Sequence, residues 1–157
     1  MVVYYDCMTY SNVISKRYIM KKEQFESAQK SFLNDVIVRD KLCITGVSLY
    51  MVEDVKDGKI AVWFMIPIAG DTDLIPKEYK YDSYFSLERA VCCRLSAKEM
   101  NQKNSSIFNS MREYCLKDGL DISTPVFFVP GTDEKEPYFS LYAGIAPKEI
   151  VIINDVQ

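Results

Sequence analysis

The stretch AVWFMIPIAG, Ala61 to Gly70, decides the fold: a run of large apolar residues, dense in β-formers and closed by a proline and a glycine. It is too short to span a bilayer and reads as a buried central strand. Asp57-Gly58 supplies a turn signal ahead of it, and a second apolar run, Thr45 to Val52, precedes the turn. The pair reads as a β-hairpin.

Working outward, Val2 to Cys7 and Asn12 to Met20 read as strands. Lys22 to Val38 changes period, with Phe25, Ala28, Phe32, Leu33, Val36 and Ile37 on one helical face. The hairpin strands run from about Ile44 to Val52 and Lys59 to Ile68. Asp71 to Lys80, with Pro76 and several charges, reads as a connector. A strand follows from Tyr84 to Leu95. A helix from Lys98 to Lys117 carries Ile107, Phe108, Met111, Tyr114 and Cys115 on its stripe and stops at Asp118-Gly119. Strands Thr124–Val129 and Tyr138–Ile145 flank the polar turn Pro130 to Pro137, and Ile150 to Ile152 reads as a short edge strand.

The order is β-α-β-β twice, over residues 12–70 and 83–146, with 71–82 as linker. Phe32 with Phe108, Thr45 with Thr124 and Ile68 with Ile145 mark matching places in an internal repeat. The competing architecture is an α+β sandwich without internal symmetry.

A chain of 157 residues, 48% hydrophobic and 26% charged, is that of a globular domain. A net charge of −3 argues against a nucleic-acid groove. With no bilayer-length segment and no signal-peptide start in MVVYYDCMTY, the expected location is cytoplasmic, with no membrane partner. Five cysteines without CxxC spacing fit a reducing compartment. Adjacent in a strand, Cys92 and Cys93 point to opposite faces. No histidine is present, which removes Ser-His-Asp and Cys-His nucleophiles and histidine metal sites. There is no glycine-rich phosphate loop, metal-ligand spacing or helix-turn-helix. Neither a metal nor a cofactor is expected.

Strand-helix-hairpin twice, with Trp63, Met65, Ile66, Pro67 and Ile68 closing the first hairpin, resembles the GyrI-like family, the effector-binding module also found in drug-responsive regulators of the BmrR and Rob type. The second-half counterpart, Tyr142-Ala143-Gly144-Ile145, lacks the proline. The resemblance implies an α+β fold of two β-α-β-β units about a pseudo-two-fold axis. It implies an antiparallel sheet with helices on one face and a ligand cleft on the other, where bulky, often cationic aromatic compounds bind. The family commonly places a glutamate four residues before the proline and another in the preceding strand. Here Trp63 and Ser140 stand at the first position, and Leu49 and Phe128 near the second.

Eleven tyrosines, eight phenylalanines and one tryptophan are the positive signal, because ring faces bind flat or cationic molecules. Tyr138, Ser140 and Tyr142 share a strand face, as do Ala61, Trp63 and Met65. Trp63 with Tyr142 is the best pair, and Met65 an adaptable wall. Tyr50, Phe128 and Tyr18 are further candidates on strands apolar on both sides. Core packing is the competing role for each. Glu88 and Glu113 are the carboxylates to watch against a surface-charge role, and Cys43, Cys92, Cys93 and Cys115 read as inert buried thiols. The expected function is binding of hydrophobic, cationic aromatic small molecules, as sensor or sequestering protein. The alternatives are a small-molecule hydrolase using a tyrosine and a carboxylate, and a protein-interaction module of gyrase-protecting or secretion-accessory kind.

Overall fold

The computed structural model describes residues 2–55, 57–70, 74–100, 104–132 and 136–148. The strands are β1 (Val3–Met20), β2 (Leu49–Asp54), β3 (Ile60–Pro67), β4 (Lys80–Ser96), β5 (Leu120–Thr132) and β6 (Pro137–Pro147). The α-helices are α1 (Phe25–Asn34), α2 (Ala97–Met100) and α3 (Asn104–Leu116). The hairpin forms as its sequence dictates. Asp57 and Gly58 have φ of 70° and 71°, the two positive values of a type I′ turn, which glycine adopts without strain. Beyond it β2 pairs with β3 from Leu49 opposite Met65 to Asp54 opposite Ile60.

All strand pairs are antiparallel, in the ring order β1-β3-β2-β5-β6-β4. The first three strands thus run β1-β3-β2 and the last three β4-β6-β5, and the two groups meet where β2 pairs with β5 and β1 with β4. The antiparallel sheet expected from sequence is present, and it closes on itself into a barrel. Closure comes from length. Val2–Cys7 is not a separate strand; β1 continues through the polar Thr9–Asn12 and pairs with β4 from Val3 opposite Cys93 to Ser15 opposite Lys80.

Alternation along β3 separates two layers. Val62, Phe64 and Ile66 pack with Phe32 and Val36 beneath α1 and its π-helical extension Asp35–Arg39. In the second half Val91, Cys93, Leu95 and Leu141 pack with Ile107, Met111 and Cys115 of α3. On the other side of the sheet Met8, Val13, Leu49, Met65 and Phe127 form a third cluster inside the barrel. The C-terminal end of α1 is tied down by a polar network. Arg39 pairs with Asp40 at 2.8 Å and with Glu78, Tyr79 Oη donates to Asp40 Oδ2 at 2.6 Å, and Lys16 Nζ reaches Glu78 at 2.9 Å.

Several sequence expectations shift. The connector is shorter than 71–82, since β4 already starts at Lys80. Phe108 does not match Phe32: it is 40% exposed, whereas Phe32 and Met111 are fully buried. One helical turn holds several apolar side chains, and stripe periodicity alone does not choose which points inward. Cys43 is exposed, because Ile44 makes only an isolated bridge to Ile68 before β2 begins. The Ile150–Ile152 strand and part of the Pro130–Pro137 turn lie outside the described residues. Chemical denaturation tests the α3 register: Met111→Ala is expected to cost about 2–5 kcal/mol and Phe108→Ala about 0.5 kcal/mol or less.

Candidate functional site

One line of register partners crosses the helix-free side of the sheet. Arg17 sits opposite Trp63, Trp63 opposite Met51, Met51 opposite Phe127, Phe127 opposite Tyr142, Tyr142 opposite Cys92, and Cys92 opposite Tyr4. Trp63 and Tyr142, drawn from different halves, thus lie on one row of rings and sulfur atoms. Three strand spacings separate them, about 14 Å along the sheet. They do not touch; Met51 and Phe127 lie between. Phe85 covers the middle of the row, its ring 5.3 Å from that of Phe127.

At the first-half end, Trp63 is half-buried and the Lys80 ammonium lies 5.8 Å from its ring centroid. Lys80 also faces Asp82 at 3.8 Å, and Arg17 faces Glu53 at 3.6 Å. Carboxylates from β2 and β4 therefore lie on the same face as Trp63, each paired with one of the cations near it. At the second-half end, a recess of about 500 Å³ opens among Tyr4, Arg94, Ser96, Glu99, Glu136 and Tyr138. The Arg94 guanidinium lies 4.2 Å over the Tyr138 ring centroid. Glu99 accepts from the Ser96 hydroxyl at 3.1 Å, and its own backbone N–H donates back to that hydroxyl, a capping box at the start of α2.

Burial sets the protonation of this face. It pushes Tyr142 up to about 12, with Cys92 adding to the effect, and it pushes Cys92 itself up to about 12. Both stay neutral at physiological pH, so Cys92 is not a nucleophile. Tyr4 is also raised by burial, with Cys92 acting in the same direction and Arg94 in opposition.

Of the residues singled out from sequence, Trp63, Met65, Tyr138, Ser140 and Tyr142 lie on the helix-free face; Met65 and Ser140 are buried there. Tyr50, Phe128 and Tyr18 lie on the helix-facing side. Tyr50 stacks on Phe128 at 5.0 Å and 7° where the two halves join, and Tyr18 packs edge-on to Phe64 at 5.5 Å. Glu88 is exposed at the β4 irregularity, beside a smaller recess, and Glu113 is exposed on α3, away from the row. Sequence reading missed Tyr4, Arg94, Lys80 and Asp82. Arg94 did leave a signal, as a lone charge within the apolar Val91–Leu95.

The tyrosine shifts have a stability consequence. Tyr50, raised to about 12 by burial, and Tyr142 favour the neutral phenol in the folded state. Their contribution is complete below the unfolded value near pH 10 and is lost as pH rises through 12. Urea midpoints are expected to fall between pH 10 and 12, and Tyr142→Phe to make that fall shallower.

Known folds share this architecture. The structure of SAV2435 bound to tetraphenylphosphonium superimposes with a TM-score of 0.60 at 13% identity, over 93% of this chain and 94% of that one. The EcmrR C-terminal domain gives a TM-score of 0.65 at 12% identity, over 94% and 99%. A hydrolase from Listeria innocua gives 0.52 at 8% identity, over 90% and 91%. At these identities the likeness is one of fold. Among curated proteins, none matches the chain significantly. Residues 9–146 match the family model described as Domain of unknown function (DUF5085), and the chain belongs to that family.

Proposed function

We propose that this chain is a GyrI-like ligand-binding domain built from two β-α-β-β copies. It binds bulky hydrophobic aromatic molecules, lipophilic cations among them, on the helix-free side of its sheet, as a sensor or a sequestering protein. The observation that carries this reading is the row from Trp63 through Met51 and Phe127 to Tyr142, in which an indole, a flexible thioether and a phenol stay partly exposed around the buried Phe127.

The charge preference follows from the Trp63 end. Its ring already has an ammonium near it, and Glu53 and Asp82 lie on the same face. A ligand cation takes the place of Lys80, gaining a ring–cation attraction of about 0.5–2 kcal/mol and a carboxylate neighbour. The exchange is cheap, because the Lys80 side chain is 63% exposed and its pair with Asp82 is worth about 0–1 kcal/mol. The tetraphenylphosphonium bound by SAV2435, which shares the fold, is a ligand of this chemical type.

Trp63 is the sole indole, so its fluorescence reports directly on the row. Titration with tetraphenylphosphonium is expected to quench it saturably, with a micromolar midpoint, and Met51→Ala to weaken binding severalfold. Linear, non-saturating quenching with every member of a lipophilic-cation panel would contradict the proposal.

A further inference from the structure

We infer that the recess at the second-half end is a separate binding station for a planar aromatic molecule carrying both a carboxylate and a protonated amine. This rests on the reading of the helix-free face as a small-molecule site, but uses different side chains from the Trp63 end. The volume, about 500 Å³, falls within the range of small-molecule pockets.

Its floor is pre-set. A Cβ on Gly131 would lie 2.5 Å from the Tyr138 ring, so that ring rests directly on bare backbone and any larger residue there would displace it. The Arg94 guanidinium lies over the Tyr138 ring, 4.2 Å from its centroid. A guanidinium stacked on a ring keeps its N–H donors in its own plane, where they match a carboxylate in bidentate fashion.

Arg94 is available for that role. Arg17, Arg39 and Arg112 each pair with a carboxylate, whereas among the described residues no carboxylate lies within ion-pair distance of Arg94. Glu99 is engaged by Ser96, and Glu136 is exposed at the rim. A simple anion would meet one cation and two carboxylates, and a simple cation would meet Arg94. A zwitterion satisfies both signs: its carboxylate goes to Arg94, its ammonium to Glu136, and its ring to the face of Tyr4.

Isothermal titration with 6-(aminomethyl)-2-naphthoate tests this, with 2-naphthoate and 2-naphthylmethylamine as single-charge controls. The zwitterion is expected to bind at least fivefold more tightly than either control. Arg94→Gln should weaken it at least tenfold, Arg94→Lys by less, and Gly131→Ala severalfold, with circular dichroism confirming that each variant is folded. Should Arg94→Gln not fold, the Lys variant and Glu136→Gln carry the test. No binding of the zwitterion to the wild-type chain, equal binding of the amine alone, or full affinity without the guanidinium would overturn the inference. Tetraphenylphosphonium quenching of Trp63, read in parallel, separates the two proposals: it can succeed while the zwitterion fails, or the reverse.

Discussion

Pairing between β1 and β4 joins residues 65 to 90 positions apart, from Ser15 with Lys80 to Val3 with Cys93, and closes the ring. Such long strands could not keep their apolar residues on the correct sides if they alternated without interruption. Two irregularities solve this. The register slips between Asp6 and Met8, and Asn12 takes a φ of 56°, a left-handed conformation that asparagine tolerates better than most residues. Through the second of these, Met8 and Tyr10 pack in the same interior cluster as Val13, although their spacing in a regular strand would set them on opposite faces. Asn12 is fixed by its neighbours, accepting from Tyr81 Oη through its side chain and from the Ile68 N–H at 2.8 Å through its carbonyl.

Closure also decides what the helix-free face becomes. Its centre is filled by Leu49, Met65, Phe127 and Phe85, so a recess opens at the Tyr138 end of the row, and at the other end Trp63 stays half-buried. Those ends differ in chemistry. Around Trp63 the charges form exchangeable pairs, Lys80 with Asp82 and Arg17 with Glu53. Around Tyr138 the guanidinium lies over a ring and has no carboxylate partner among the described residues. Carboxylates near Trp63 sit on partly exposed side chains, so none bears the desolvation cost of a buried charge.

Much of this was legible in the chain. Asp57-Gly58 between apolar runs specified the hairpin, the helical period specified α1, and the two-residue alternation grouped Trp63 with Met65 and Tyr138 with Ser140 and Tyr142. The illegible parts are those set by non-local pairing. Nothing in Val2–Ser11 states that it will lie along residues 84–93, and so Tyr4 and Arg94 could not be brought together. Tyr50 and Phe128 lie in strands apolar on both sides, where alternation gives no facing; register with β3 and β6 turns both toward the helices. Phe108 and Met111 show the same limit on a helix, since the stripe predicts a face and packing selects its centre.

In the proposed function, ligands bind on the side of the sheet opposite the helices. Methionine methyl NMR reads both sides at once, because Met51 and Met65 lie on the helix-free face, whereas Met20 and Met111 pack beneath the helices. Titration with tetraphenylphosphonium is predicted to shift the Met51 and Met65 methyl resonances and leave those of Met20 and Met111 in place. Movement of the Met20 and Met111 signals with Met51 and Met65 unmoved would contradict the account.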